Sequence, residues 1–293
     1  MADFSSAILF NMYINDMPAN LKFVKSSLYA DDAKLYAPIK EESSISRVQE
    51  DLDSLSSWCR AWRLRLNASK CFLLHYVPQN ISSLDPKYEI DGTPLEKKNM
   101  TSDLGVIVTE DLKFHEQVLN ACKKATKEIN TIKRTFTSRN PKFLENLYKS
   151  CVRPHLEYCV QVWNPGYAGD INLIEKVQNR YSRLLPQSRI MNHNERNSIL
   201  RITDHKTRRL RGDLVYIFKY YDDGLFSHNV DTRTRGHSKK LNLEMTQNNI
   251  RKHSFVVRNV AIWNSLPETI VSAPSVDSFK ARLDIFLQSN HNI

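Results

Sequence analysis

The sequence contains little glycine, with 7 residues in 293, and no GxxxxGK pattern. This scarcity argues against a glycine-rich loop that wraps phosphates. No apolar run approaches the ~18 residues that cross a membrane, and residues 1–5 lack the basic and apolar pattern of a signal peptide. The five cysteines include no CxxC pair. We therefore expect reduced thiols in an intracellular protein of the nucleus or cytoplasm, and neither a zinc site nor a disulfide framework.

Positive charge is concentrated in the second part of the chain. Residues 1–100 hold 12 basic and 13 acidic residues, whereas residues 101–293 hold 30 basic and 19 acidic residues. This distribution predicts a polyanionic partner such as nucleic acid. An ordinary solvated basic surface is the alternative interpretation of the same composition.

The most informative stretch is residues 28–36, where apolar or alternating runs flank Asp31 and Asp32. Such runs on either side of a tight turn predict a β-hairpin. Two aspartates at a hairpin tip can converge on one point, and carboxylate oxygens are the ligands that Mg²⁺ prefers. Aspartate is also common in turns for a structural reason, since its side chain bonds nearby backbone groups. The pair alone is therefore a hypothesis for a metal site.

The first part of the chain also carries helical patterns that predict an α+β arrangement of helices packed on strands. Residues 7–17 and 43–66 have apolar side chains at spacings of three and four. Trp58 and Trp62 lie on the apolar side of the second pattern. We assign them to the core in preference to nucleotide stacking.

Strand signals follow in residues 72–77 and 86–108, with a turn at Asp91-Gly92. The last of these strands, residues 103–108, contains Gly105. Glycine inside a strand often marks a bend or the close approach of another backbone. These segments are expected to complete the β-structure of the first part.

The second part predicts a helical bundle with basic faces. Helical patterns over residues 111–137, 141–161 and 168–185 are joined by short connections, which favours antiparallel packing. Basic side chains recur in the first helix and again in residues 201–211. Basic clusters with little apolar content favour phosphate contacts over base reading. The candidate nucleic-acid backbone contacts are Lys123, Lys124, Lys127, Arg208, Arg209 and Arg211.

The C-terminal region predicts an amphipathic helix over residues 210–221 and a mobile loop over residues 231–240. An apolar segment follows at residues 254–264, and a short helix over residues 275–287 closes the fold. The histidines of this region show no ligand spacing. No metal role is assigned to His193, His205, His228 or His237.

Several motifs occur together in a fixed order. In the first part they are Leu9-Phe10, Tyr13-Ile14-Asn15-Asp16, Tyr29-Ala30-Asp31-Asp32, Lys34-Leu35-Tyr36, Trp58-Cys59, Trp62, Asn67, Ser69-Lys70-Cys71 and Leu104-Gly105-Val106. This ordered set resembles the late palm of reverse transcriptases from LINE-type (non-LTR) retrotransposons. Residues 148–159 and 173–178 resemble the thumb of that family, and residues 263–267 and 273–280 resemble its C-terminal end.

The resemblance implies part of an RNA-directed DNA polymerase, a nucleotidyltransferase. Asp31 and Asp32 are the implied catalytic carboxylates, with Mg²⁺ as the implied cofactor. The implied nucleotide-binding and primer-binding residues are Tyr29, Ala30, Lys70, Leu104, Gly105 and Val106. The implied partners are an RNA template, a DNA primer and deoxynucleoside triphosphates.

The expected fold class is α+β, with a β-hairpin and sheet packed on a helix, then a mainly α-helical bundle and an extension. The expected domains are a partial reverse transcriptase palm over residues 1–110, a helical thumb-like region over residues 111–190 and a basic C-terminal extension over residues 191–293. A solvated face remains the alternative for the lysines of the helical region.

The chain departs from the family at its beginning. The family has a further palm aspartate well upstream of the Leu-Phe-x-x-Tyr-Ile helix, and here only seven residues precede Ile8. A two-metal site needs that carboxylate, so we expect this chain alone not to polymerise DNA, as in a 5′-truncated element or a misannotated exon. The alternatives are a non-catalytic nucleic-acid-binding protein and an inert remnant that does not fold.

Overall fold

The computed structural model describes residues 4–76, 84–229 and 236–289. The chain divides into two compact units. The first comprises Met1–Thr101 with Thr109–Asp111, and the second comprises Ser102–Val108 with Leu112–Ile293. Helices and small sheets are both present, in keeping with the expected α+β class. Within the described residues, no helix combines the length and the apolar character needed to span a bilayer.

The first unit is built from helices and short strands. Its elements are α1 (Phe4–Tyr13), β1 (Lys25–Tyr29), β2 (Asp32–Tyr36), α2 (Glu42–Ala61), β3 (Phe72–Leu74), β4 (Glu89–Ile90), β5 (Thr93–Pro94) and β6 (Glu96–Lys98), with 3₁₀ turns at Met17–Asn20 and Ala68–Lys70. Strands β1 and β2 pair antiparallel, as do β4 and β5, whereas β3 and β6 pair parallel. The described strands therefore form separate pairs and not one continuous sheet.

Helix α2 supports the β1–β2 hairpin. It buries Val48, Leu52, Leu55 and Trp58, which recur at helical spacing and so share one face. Leu35 of the hairpin packs against the clusters that contain these side chains. The prediction that Trp58 belongs to the core is confirmed, but the same prediction is wrong for Trp62, which is 39% exposed. The helix ends at Ala61, before the expected residue 66.

Asp51 joins α2 to the segment that enters β1. Its carboxylate accepts hydrogen bonds from the backbone N–H groups of Lys22 (2.9 Å), Phe23 (2.7 Å) and Val24 (2.8 Å). Burial disfavours the charged carboxylate, but the three backbone donors outweigh burial and lower the pKa of Asp51 below its ordinary value. A buried charge thus fixes the start of the hairpin.

We expect Asp51→Asn to lower the free energy of unfolding by about 2 kcal/mol at pH 7, because bonds to a charged acceptor are stronger than bonds to an amide. The pKa of Asp51 is lower in the folded state than in the unfolded state. Its contribution is therefore present above about pH 4, the ordinary aspartate value, and is lost as the pH falls through the lowered folded pKa. Urea unfolding at pH 7 and pH 3 measures both effects.

Asp53→Asn is the matched control, because Asp53 lies on the same helix and is exposed. We expect it to change the free energy of unfolding by less than about 0.5 kcal/mol. Equal losses in the two variants would contradict a special role for Asp51.

In the first unit, one local prediction needs correction and another is confirmed. Helix α1 spans Phe4–Tyr13 and not residues 7–17, and Pro18 lies in the separate 3₁₀ turn that follows, where it cannot disrupt a helical hydrogen bond of α1. The turn at Asp91-Gly92 is confirmed. Both residues have positive φ, at 49° and 75°, as the tight connection between β4 and β5 requires.

The second unit is mainly helical. Its longer helices are α3 (His115–Thr135), α7 (Ala168–Ser182), α9 (His205–Lys219) and α14 (Val276–Ser289), and its shorter ones are α4 (Pro141–Leu147), α5 (Arg153–Glu157), α6 (Val160–Trp163), α8 (His193–Ile199), α10 (Asn249–Lys252), α11 (Phe255–Arg258), α12 (Val260–Asn264) and α13 (Glu268–Val271). Residues 102–108 of this unit include the tip of the hairpin between β7 (Met100–Asp103) and β8 (Val106–Thr109). The predicted bundle of helices is therefore present in this unit.

The predicted helix over residues 141–161 is interrupted. Helix α4 continues through a π-helical stretch, Tyr148–Val152, into α5, and the chain then turns at Cys159, whose φ is 56°. A left-handed residue cannot continue an α-helix, so α6 starts in a new direction. The break therefore follows Glu157, whereas Pro154 lies in the first turn of α5, where a proline is tolerated.

Two apolar clusters stabilise the second unit. One contains Val106, Tyr148, Leu156 and Trp163 among side chains of α3 to α7, and the other gathers α9, α12 and α14 around Trp263. The expected amphipathic helix of residues 210–221 is the second half of α9, and the expected closing helix is α14. Part of the predicted 231–240 loop, residues 230–235, lies outside the described residues.

Candidate functional site

The two candidate catalytic carboxylates lie at the tip of the β1–β2 hairpin. Tyr29 is paired with Asp32, so Ala30 and Asp31 form the two-residue turn between the strands. Ala30 has a φ of 49°, and its small side chain makes this left-handed conformation less costly than a branched residue would. The hairpin places Tyr29, Ala30, Asp31 and Asp32 together, as predicted from the alternating pattern.

The hairpin tip faces solvent. Asp31 and Asp32 are exposed, and neither carboxylate accepts a hydrogen bond from a described residue. The ring of Tyr29 is 64% exposed beside them. The tip therefore presents two negative charges and one aromatic ring to an approaching ligand.

The donor set at the tip suits Mg²⁺ only in part. Mg²⁺ is commonly bound by one or two carboxylates, with waters and substrate phosphates as the other ligands. Asp31 and Asp32 match this pattern. Across residues 4–76, 84–229 and 236–289, no group of three or more His, Cys, Asp or Glu side chains could hold a metal ion. The described residues therefore supply two neighbouring carboxylates at the tip and no group of three such ligands.

Lys70 lies at the end of the 3₁₀ turn that precedes β3, and its side chain is exposed. Its neighbours Ala68 and Cys71 pack against the same cluster as Leu35 of β2. This shared packing holds the Lys70 turn and the hairpin in one unit. The described contacts include no bond between Lys70 and the aspartates.

The prediction that residues 103–108 form one strand is wrong, because Leu104 and Gly105 lie in a turn and Val106 begins β8. Leu104 and Gly105 have φ values of 44° and 82° and form the turn between β7 and β8. Two successive left-handed residues produce the turn type that matches the twist of a hairpin. Glycine therefore provides the turn itself here.

Three side-chain interactions fix this turn in the second unit. The hydroxyl of Tyr158 donates a hydrogen bond of 2.8 Å to the carbonyl of Leu104. The amide of Ile107 donates to Oε1 of the buried Gln117 at 2.9 Å. The side chain of Val106 is buried in the helical core. The turn is thus held by α3, by Tyr158 and by the core at once.

The three candidate lysines of α3 are accessible. Lys123, Lys124 and Lys127 are exposed, and within the described part of the chain none of them is held in an ion pair. Lys123 and Lys127 are four residues apart and therefore share one face of the helix. This geometry permits phosphate contacts and stays equally compatible with a solvated surface.

The prediction of a phosphate contact is wrong for Arg209. Its guanidinium is 5% exposed and donates to the carbonyl of Leu156 and the side chain of Asn164, both at 3.0 Å. Burial lowers the pKa of Arg209 to about 10. Arg209 is therefore a structural residue of the bundle.

Arg208 and Arg211 also have partners inside the protein. Nε of Arg208 lies 2.5 Å from a carboxylate oxygen of Glu157, and the Arg208 side chain is 12% exposed. Arg211 donates to both carboxylate oxygens of Asp284. The basic cluster of residues 201–211 was interpreted from charge alone, which does not reveal these long-range acidic partners. Neither arginine is thus an available phosphate contact in this structure.

Comparison with known proteins finds a family match for the first part of the chain. Residues 4–145 match the family model described as Reverse transcriptase (RNA-dependent DNA polymerase). These residues are therefore similar to reverse transcriptases. The matched range includes the β1–β2 hairpin, the Lys70 turn and the β7–β8 turn, so it contains every candidate nucleotide-binding and primer-binding residue.

Individual relatives match a longer stretch of the chain than the family model does. The probable RNA-directed DNA polymerase from transposon BS of Drosophila melanogaster is 23% identical over 189 residues, which is 61% of this chain and 21% of that protein. The probable RNA-directed DNA polymerase from transposon X-element of the same organism is 26% identical over 61% of this chain and 20% of its own length. The RNA-directed DNA polymerase from mobile element jockey is 25% identical over 58% and 20%. The chain thus spans about a fifth of these relatives. No solved structure matches it.

The structure adds residues that the sequence interpretation missed. Asp51 lies three residues after Val48 and four before Leu55, so an acidic residue on the apolar face of α2 was a visible signal of a buried role. Tyr158 gave no comparable signal, because its partner Leu104 is 54 residues away in sequence.

Proposed function

We propose that this chain is a portion of a non-LTR retrotransposon reverse transcriptase that binds an RNA template and a DNA primer. The observation that carries the proposal is the Tyr29-Ala30-Asp31-Asp32 tip, which lies on an exposed hairpin within the segment that matches reverse transcriptases. The exposed lysines of α3 and the excess of basic residues after position 100 support a polyanionic ligand.

Asp31 and Asp32 are the residues that would hold Mg²⁺, and Tyr29 and Lys70 would lie near the primer end and the phosphates of a deoxynucleoside triphosphate. The bound ion would supply neutralisation of charge on a transferring phosphoryl group. The protein's own share is to position the reactants, through the paired strands of the hairpin and the packed Lys70 turn. Since the described residues provide only part of a two-metal ligand set, the 293-residue chain alone is proposed not to extend a primer.

A salt titration of binding tests the nucleic-acid part of the proposal. The affinity for an RNA–DNA primer–template should fall with a steep log–log dependence on salt, with a slope of about −0.9 for each phosphate contact. Replacing both Lys123 and Lys127 by glutamine should reduce the magnitude of this slope by about 1.8, because two contacts are removed. Filter binding at four salt concentrations measures the slope.

The matched control replaces Lys219 and Lys252, which lie on α9 and α10 and are also exposed. This control removes the same charge without removing the proposed contacts, so its slope should stay within error of the wild-type slope. An equal reduction in both double variants would show that total charge, and not the α3 face, governs binding. No binding by the wild-type chain at low salt would refute the proposal.

A non-catalytic nucleic-acid-binding protein is the second candidate. The observation that favours it is the incomplete metal ligand set together with the accessible α3 lysines. It predicts the same salt dependence but no influence of Asp31 or Asp32 on Mg²⁺-dependent affinity for a deoxynucleoside triphosphate. Nucleotide binding measured with and without Mg²⁺ in Asp31→Asn separates the two candidates.

A further inference from the structure

Tyr158 is the side chain that connects the helical part of the second unit to the Leu104-Gly105 turn. Its hydroxyl donates to the Leu104 carbonyl at 2.8 Å, 54 residues away in sequence. Its ring also lies against the turn, since a Cβ at Gly105 would be 3.6 Å from Cε1 of Tyr158. The ring thus covers the glycine while the hydroxyl holds the preceding carbonyl.

The backbone of Tyr158 is itself held in place by a buried side chain. Trp163 is fully buried, and its indole N–H donates to the carbonyl of Tyr158 at 2.6 Å. The next residue, Cys159, adopts a φ of 56°, which ends the helix that precedes it. A sharp turn, anchored by a buried tryptophan, therefore sets where the Tyr158 ring projects.

Tyr158 is not a core residue. Its side chain is 56% exposed, and Leu104 at the turn is 43% exposed. An aromatic side chain that served only packing would bury most of its apolar surface. The exposed turn, the exposed ring and the hydrogen-bonded carbonyl together form a surface that can meet an extended ligand.

We propose that Tyr158 is a positioning residue for the primer strand, because it holds the Leu104-Gly105 turn in the conformation that contacts the primer. The proposal rests on the proposed function and on the primer contact that the resemblance implies for Leu104 and Gly105, since the side chain of Val106 is buried in the core. Tyr158 acts through the turn and has no chemical role. The ligand class is the recessed 3′ end of a nucleic-acid primer on its template.

Tyr158→Phe tests this role, since it removes the hydroxyl and keeps the ring. We expect the affinity for a primer–template with a recessed 3′ end to fall roughly fivefold, as the loss of one hydrogen bond predicts. The affinity for a blunt duplex of equal length should stay unchanged, because that ligand offers the same phosphates but no recessed end. Fluorescence anisotropy with labelled oligonucleotides measures both constants.

Tyr181→Phe is the matched control. Tyr181 is fully buried and donates a hydrogen bond of 2.6 Å to the carbonyl of Leu144, so this variant removes the same kind of bond elsewhere in the unit. We expect it to destabilise the protein without changing the ratio of the two affinities. Equal changes of this ratio in both variants would overturn the role of Tyr158.

Amide exchange, followed by mass spectrometry of the peptide that covers residues 102–108, gives a second readout. Tyr158→Phe should accelerate exchange in this peptide, whereas Tyr181→Phe should not accelerate it selectively. Unchanged exchange and an unchanged affinity ratio in Tyr158→Phe would overturn the proposal and leave the proposed function intact. If the wild-type protein bound no primer–template, the proposed function would fail and the primer role of Tyr158 with it.

Discussion

Replacement of Asp213 by alanine is expected to lower the free energy of unfolding of the second unit by about 3–5 kcal/mol. The carboxylate is 1% exposed. It accepts hydrogen bonds from Arg258 through Nε (3.1 Å) and Nη2 (2.9 Å), and from Nδ2 of Asn259 at 3.0 Å. Removing it leaves the 12%-exposed guanidinium of Arg258 without its carboxylate. Urea unfolding followed by far-ultraviolet circular dichroism measures the loss.

The control is Asp284→Ala. Asp284 binds Arg211 but is 43% exposed, and pairs of this kind contribute at most about 1 kcal/mol.

Burial raises the pKa of Asp213, and the neighbouring Arg258 opposes that rise. A double variant, Asp213→Leu with Arg258→Met, should therefore lose less stability than Asp213→Ala, since no unpaired charge remains. A small loss in Asp213→Ala, equal to that of the control, would contradict this explanation.

Trp163→Ala is the second substitution with a large expected effect, again about 3–5 kcal/mol of unfolding free energy. Trp163 is fully buried in the cluster that also contains Val106 and Leu156. The guanidinium of Arg209 lies 4.8 Å from the centre of its ring, and its indole N–H binds the carbonyl of Tyr158. The variant removes a large apolar surface and leaves a cavity beside a buried cation. Thermal unfolding by circular dichroism, paired with a urea titration, measures the effect.

Trp62→Ala provides the comparison, because Trp62 is 39% exposed although it stacks on Trp58 at a ring separation of 5.7 Å. We expect its loss to be less than half that of Trp163→Ala. A larger loss in Trp62→Ala would indicate that packing around Trp163 is poorer than its burial implies.

Local patterns predicted the elements of the fold that depend on near neighbours. The spacing of Val48, Leu52 and Leu55 predicted helix α2 and its buried face. The Asp91-Gly92 pair predicted a tight turn because both positions accept a left-handed conformation. The runs around Asp31 predicted an antiparallel strand pair for the same local reason.

The remaining features depend on contacts between distant residues. Leu104 adopts a φ of 44° that leucine rarely takes, and the bond from Tyr158 that accompanies it spans 54 residues. The density of basic residues placed Arg209 in a basic cluster, but its partners are Leu156 and Asn164. Sequence periodicity contains no information about such pairs. It therefore located the hairpin tip and missed both the turn geometry and the internal role of the arginines.

Primer extension on an RNA template with Mg²⁺, run beside binding of the same primer–template, is the most direct test of the proposed function. Asp31 and Asp32 supply the carboxylates of the hairpin tip, and the described residues add no third ligand to form a metal group. We therefore predict that the 293-residue chain binds the primer–template and incorporates no nucleotide. Asp31→Ala should leave binding without Mg²⁺ unchanged. Incorporation by the wild-type chain that disappears in Asp31→Ala would contradict the prediction, because it would show a complete catalytic centre.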